Sequence, residues 1–127
     1  MMRFSNAIAF VNSIPRSMEF YRDVIGIEPV EEYDTFVLFG GGFSIHDGAN
    51  LYEQSFGKKE DPARPWGRDN LDLYFVSDDL EADFARVSAA AKVVHPIQAL
   101  PSGELAFRCL DPDGHLIEVG DGIYEEH

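Results

Sequence analysis

The sequence has 127 residues, 45% apolar and 13% aromatic, enough for a packed core and too apolar for a disordered chain. Its 23 acidic and 10 basic residues give a formal charge of -13, which opposes binding to nucleic acid or to anionic membrane surfaces. No apolar run approaches the roughly 20 residues of a membrane span, the first residues lack a signal peptide's apolar stretch, and a single cysteine, Cys109, excludes an internal disulfide. The expectation is one cytoplasmic domain over 1–127, with which a cationic or neutral small ligand remains compatible.

In the first half, residues 6–11 predict a strand. Ser13 is a suitable helix N-cap, and Pro15 fits a helix's first turn. Across 15–25, Met18, Tyr21, Val24 and Ile25 recur at spacings of three and four, an apolar stripe that Gly26 is placed to end. Short strands follow at 28–32, 35–39 and 43–47, separated by Asp34 and by the run Gly40, Gly41, Gly42. No helix or Lys-Ser/Thr pair follows these glycines, so a tight strand connection explains them better than a phosphate cradle.

The second half repeats this order. A strand at 72–76 leads to a cap at Asp78 or Asp79 and a helix whose Leu80, Phe84, Val87 and Ala91 share one face, then to strands at 93–95, 104–110 and 116–119. The chain thus reads as βαβββ twice, module one over 1–50 and module two over 70–127, with a connecting segment at 51–69. The whole stretch 48–70 is charged and proline-bearing, and its Tyr52, Phe56 and Trp66 suit either a cover over a site or a plug for one end of a sheet.

Two motifs carry a family resemblance. Pro15, Arg16, Ser17, Met18, Glu19, Phe20, Tyr21, Arg22, Asp23, Val24, Ile25, Gly26 resembles the first-helix signature of the glyoxalase, bleomycin-resistance and extradiol-dioxygenase (vicinal oxygen chelate) superfamily. Asp111, Pro112, Asp113, Gly114, His115, Leu116, Ile117, Glu118 resembles the hairpin that leads into that superfamily's last strand. The resemblance implies an α+β fold in which two βαβββ modules form an open, cupped, barrel-like mixed sheet around one cleft. It also implies a small-molecule ligand and a homodimer.

Members usually hold one divalent metal on the first and last strands of each module, places that map here onto Asn6, His46, Asp72 and Glu118. The repeat agrees: His46 lies 72 positions before Glu118, and Asn6 lies 66 before Asp72. The resemblance implies His46, Asp72 and Glu118 as ligands for Mn, Fe, Ni, Zn or Mg, and it indicates no organic cofactor. The family's usual histidine is replaced by Asn6, whose amide oxygen is a weak ligand, and Asp72 is shorter than the usual His or Glu.

Counting the hairpin gives Glu118 a competing partner. A type I turn through Pro112 and Asp113, with Gly114 left-handed, pairs Asp111 with His115 and brings Arg108 opposite Glu118. Arg108 can then neutralise Glu118 without a metal, or bind a substrate carboxylate beside one. The same turn explains Asp111 and Asp113 without a calcium loop, since the further oxygen ligands are missing. His46, at a strand end beside Asp47 and Gly48, can equally meet turn backbone. Asp72 lies among Leu71, Leu73, Tyr74 and Phe75, which read as a largely buried strand where a carboxylate requires a partner. His95 and His115 are weaker candidates, His115 facing solvent, and Cys109 reads as a buried thiol.

Two functional readings follow from the resemblance. The first is a metal-dependent lyase or isomerase acting on vicinal oxygens, with Glu118 or Asp72 moving the proton and Asn6, Arg108, Trp66 and Tyr52 contacting substrate. The second is a metal-free protein similar to the bleomycin-resistance branch, which sequesters a cationic or aromatic ligand beside Trp66.

Overall fold

A computed structural model describes residues 1–122; positions 123–127, the end of the second repeat, lie outside the described residues. The chain forms two compact units, Met1–Trp66 and a second that starts at Gly67. Each carries one βαβββ repeat and one four-stranded mixed sheet, so the α+β reading and the doubled order both hold.

In the first unit, β1 (Ala7–Val11) leads to α1 (Ile14–Glu19). The Ser13 hydroxyl accepts the Arg16 N–H at 3.3 Å, the cap the sequence predicts. The helix then widens into π-helical turns over Phe20–Ile25 and stops at Gly26 with φ 94°. There the Tyr21 carbonyl accepts N–H groups from both Gly26 (2.9 Å) and Ile27 (3.0 Å), a looser ladder than an α-helix makes. The buried stripe is accordingly Ile14, Ser17, Phe20 and Tyr21, whereas Met18, Val24 and Ile25 are only half-buried. Tyr21 packs its ring against Phe20, Phe39 and Phe43 at centroid distances of 5.3, 5.7 and 4.9 Å.

The rest of the sheet is β2 (Glu31–Glu32), β3 (Phe36–Gly40) and β4 (Phe43–Asp47), in the order β1-β4-β3-β2 with β1 parallel to β4. β2 is shorter than predicted because Pro29 has no N–H to give a ladder. One sheet face buries Ala9, Val11, Val37 and Ile45, and the other presents Ile8, Phe10, Phe36, Leu38, Ser44 and His46. The segment predicted as a connection begins as a helix, α2 (Gly48–Phe56). The Asp47 carboxylate caps the Asn50 N–H at 3.0 Å, and Gly57, at φ 71°, ends it.

The second unit repeats the plan with β5 (Asp72–Val76), α3 (Leu80–Ser88), β6 (Lys92–Ala99), β7 (Leu105–Leu110) and β8 (Leu116–Gly120), in the order β5-β8-β7-β6. Asp79 is the α3 cap, accepting the Ala82 N–H at 3.2 Å. Leu73, Phe107, Cys109, Ile117 and Val119 form the buried face, and Phe84 of α3 meets Phe107 edge-on at 5.1 Å. β6 runs past Pro96, with its register shifting between His95 and Gln98; as an edge strand it tolerates a residue that lacks an N–H.

The β7–β8 hairpin has the predicted geometry. Asp111 N–H reaches the His115 carbonyl, Gly114 N–H reaches the Asp111 carbonyl (both 3.0 Å), and Gly114 has φ 87°. The Asp111 carboxylate accepts the N–H groups of Asp113 and His115 at 2.8 and 2.9 Å, which makes it a turn former. His115 is buried in this turn rather than solvent-facing.

Candidate functional site

In the second unit one rung of the sheet crosses all four strands: Tyr74 on β5 pairs with Glu118 on β8, Glu118 with Arg108 on β7, and Arg108 with His95 on β6. Because paired residues point to the same face, this rung is a continuous polar row on the side away from α3. Glu118 Oε1 accepts the Arg108 Nε–H at 3.0 Å and lies 2.8 Å from Nη2. Arg108 Nη1 donates to His95 Nε2 at 3.0 Å. His95 Nδ1 in turn lies 2.8 Å from the Pro96 carbonyl, which can only accept, so the proton is on Nδ1 and Nε2 receives the guanidinium.

The row continues at its other end. Tyr74 donates its hydroxyl proton to Glu104 Oε2 at 2.7 Å, and the buried Glu104 side chain also reaches Glu118. Burial and the Glu104 bond both raise the Tyr74 phenol above its usual range. Gly120 leaves the room: a Cβ there would stand 2.5 Å from Glu104 Oε1 and 2.9 Å from the Tyr74 hydroxyl.

Asp72 completes the cluster through a hydrogen bond with Glu118. The sequence suggests a largely buried strand around it, but β5 is an edge strand with alternating exposure, and Asp72, Tyr74 and Val76 keep solvent contact. Even so, its carboxyl is pushed up to about 7, by desolvation first and then by the bond to Glu118 and its charge, against the pull of Arg108. Glu118 moves the opposite way: burial raises it, but hydrogen bonds from Asp72 and Arg108 and the guanidinium charge hold it below the ordinary range. Of the two, Asp72 is therefore the carboxyl that takes up a proton first and Glu118 the one that keeps its charge.

The first unit carries the other predicted residues on a different chemical background. Its equivalent rung is Phe10, His46 and Phe36, so aromatic rings occupy the places that Tyr74 and Arg108 hold beside Glu118. His46 Nδ1 donates to the Asp47 carbonyl at 2.9 Å, leaving the Nε2 lone pair, and its ring lies 6.0 Å from that of Phe36. One step back along each ladder, Asp72 pairs with Leu116 and Ile8 pairs with Ser44, so the rung equivalent of Asp72 is Ile8 rather than Asn6. Asn6 lies two residues earlier, in the same alternation, and its side-chain oxygen accepts from the buried Ser44 hydroxyl. Its Nδ2 donates to Ser5 at 3.0 Å.

Trp66 and Tyr52 come together in the first unit, with ring centroids 6.1 Å apart. Trp66 also packs on Phe10 at 5.3 Å and donates Nε1–H to Asn12 Oδ1 at 2.8 Å. Cys109 is fully buried and its thiol is pushed up to about 11, by burial first and then by Asp111, so it stays protonated and unreactive at neutral pH.

Arg108 competes with a cation for Glu118, and the Ser44 hydroxyl for the oxygen of Asn6. Among the described residues no group of three or more His, Cys, Asp and Glu side chains is assembled to hold one.

The hairpin count predicts Arg108 opposite Glu118, but Glu104 and Tyr74 are not among the predicted site residues, and His95 is a candidate only as a metal ligand. Strand alternation shared with Asp72 was a signal for Tyr74. The shift at Pro96 hid the pairing of His95.

Comparison with known proteins adds a family. No curated protein is significantly similar to the chain. A protein of unknown function from Agrobacterium tumefaciens is 42% identical, with TM-score 0.90 over 94% of both chains. A glyoxalase-related enzyme from Fulvimarina pelagi is similar in fold, at 21% identity and TM-score 0.77 over 94% of this chain and 88% of its own. So is a lactoylglutathione lyase from Agrobacterium tumefaciens, at 24% identity and TM-score 0.69 over 95% of each chain. The model of the glyoxalase-like domain matches residues 4–124. The chain belongs to the glyoxalase-like domain family.

Proposed function

We propose that this protein binds a small, oxygen-bearing molecule on the polar rung of its second unit, and that it does so without a metal held by His46, Asp72 and Glu118. The observation that carries this reading is the ion pair in which Arg108 holds Glu118 Oε1 with two of its nitrogens. A guanidinium has five N–H groups; three are spent on Glu118 and His95, and two remain for a ligand carboxylate or carbonyl. The same positive charge repels a metal cation from the Glu118 carboxylate.

The second reading, a metal-dependent lyase or isomerase with Glu118 as the catalytic carboxylate, is favoured by one feature: the hydrogen-bonded carboxyls of Asp72 and Glu118. It requires a cation to displace both the Asp72 proton and Arg108.

Titration of metal-free protein with Mn, Fe, Ni and Zn, followed by calorimetry, separates the two. The expected result is no stoichiometric site tighter than micromolar, and identical traces for the Glu118→Ala variant. A tight one-to-one site that Glu118→Ala removes would establish the metal enzyme and end the metal-free reading.

A further inference from the structure

Resting on the reading of the polar rung as a binding site, we propose that it takes an α-amino acid as a zwitterion, the ligand's carboxylate on Arg108 and its ammonium on Asp72.

Arg108 supplies the carboxylate half. Its Nε–H and one N–H of Nη2 go to Glu118 Oε1, and one N–H of Nη1 goes to His95 Nε2. One N–H is left on each terminal nitrogen. A carboxylate meets such a pair with both of its oxygens, the bidentate arrangement that arginine favours. The guanidinium is held from both sides, by Glu118 on β8 and His95 on β6, so little freedom is lost when a ligand reaches it. The Arg108 side chain is 26% exposed against 11% for Glu118, so it is the member of the pair open to solvent.

Charge supplies the ammonium half. Asp72, Glu104 and Glu118 share a single base, Arg108, and the His95 ring is neutral with its proton on Nδ1. The next base on this face, Lys92, stands at the far edge on β6, three strands from Asp72. A bare anion adds charge to an acidic cluster, and a bare cation meets the guanidinium; a zwitterion satisfies both signs. Glu104 is buried against Tyr74 and Glu118 is taken by Arg108, so Asp72, exposed on the edge strand β5, is the carboxyl open to an ammonium. Asp72 and Arg108 grip the same Glu118 carboxylate and so stand one carboxyl group apart. The carboxylate and ammonium of an α-amino acid, joined through a single carbon, bridge a gap of that kind. The Tyr74 hydroxyl gives its proton to Glu104 and keeps lone pairs for another ammonium N–H.

The probe is glycine, which has only the two recognised groups, set against acetate and methylammonium, which keep one each. Backbone amide shifts of β7 and β8 in isotope-labelled protein report binding by NMR at pH 8, above the range in which Asp72 takes up a proton. The expected result is saturation by glycine and at least about fivefold weaker binding of either half. Asp72→Asn, which keeps a donor towards Glu118, should cancel glycine's advantage over acetate. Arg108→Lys, checked for folding by circular dichroism, loses the fork and should weaken glycine and acetate alike. Acetate binding as tightly as glycine, or a preference for glycine that survives Asp72→Asn, would overturn the zwitterion and leave the rung a binding site for oxygen-bearing molecules. Methylammonium binding as tightly as glycine, or no saturation by any probe up to about 50 mM, a generous limit for so few atoms, would overturn both.

Discussion

At Asp72, desolvation and the neighbouring Glu118 both favour the neutral carboxyl, which titrates at about 7 in the folded chain and near the ordinary Asp value when unfolded. Between those two values the folded state binds more protons than the unfolded one, so this residue's contribution to stability falls as pH rises through the window. Glu118, held low, has the opposite sign: its contribution is present above the ordinary Glu range and fades in acid. Asp72→Asn keeps a donor towards Glu118 and cannot ionise. It should raise unfolding free energy at pH 8 by roughly 1 kcal/mol, the exposed position screening most of the shift, and change little near pH 5. Urea unfolding at both pH values checks this, and equal gains at both would show that the shift is absent. Residue by residue, the site was legible where a turn fixed the count: the Asp111–His115 hairpin put Arg108 on Glu118 because one-for-one counting back from a known turn leaves no freedom. Glu104 was illegible because it lies just outside β7 and reaches Tyr74 past an intervening strand, through space that only the missing side chain of Gly120 provides.

At the level of elements, strand alternation preserved which face each residue occupies but not which rung. Equating Asn6 with Asp72 was out by one strand period, because the segments between β1 and β4 and between β5 and β8 differ in length and only the ladder pairings reveal the offset. The helix α2 was hidden by its charged, proline-bearing continuation, although its Asp47 cap and Gly57 stop are both present in the sequence. Glycines mark where elements meet most tightly. A Cβ on Gly67 would lie 2.1 Å from the Gly114 carbonyl carbon, while Gly67 N–H bonds the Asp113 carbonyl at 3.2 Å, so the start of the second unit is laid directly on its last hairpin. Gly41 is the contrast: it has φ +61° but nothing within 4 Å of an added Cβ. Gly67→Ala should cost about 2–3 kcal/mol, since backbone must move, whereas Gly41→Ala should cost only about 1 kcal/mol of conformational strain. Chemical denaturation of the two variants tests the ranking, which fails if Gly41→Ala proves the more harmful.

Over the whole molecule, a formal charge of -13 on 127 residues makes mutual repulsion among carboxylates the dominant long-range electrostatic force. Ion pairs oppose it locally, among them Arg108–Glu118, Arg86–Asp83 at 2.7 Å and Arg22–Asp23 at 2.8 Å, each setting a base against an acid. The last two are largely exposed, worth little, and weakened by salt as readily as the repulsion is. Arg108–Glu118 is more sheltered and less sensitive to screening. Raising sodium chloride from about 0.01 M to about 0.15 M shortens the Debye length from roughly 30 to roughly 8 Å, which removes repulsion between distant acids while sparing that pair. The net effect should be stabilising, with a rise of about 3–6 °C in the thermal midpoint, corresponding to about 1 kcal/mol for a chain of this size. Chloride is the appropriate salt, because sulfate would add surface exclusion to screening. Thermal unfolding followed by circular dichroism reads the shift, and a midpoint that falls with added chloride would mean that the ion pairs, rather than the excess of acids, govern the charge dependence of stability.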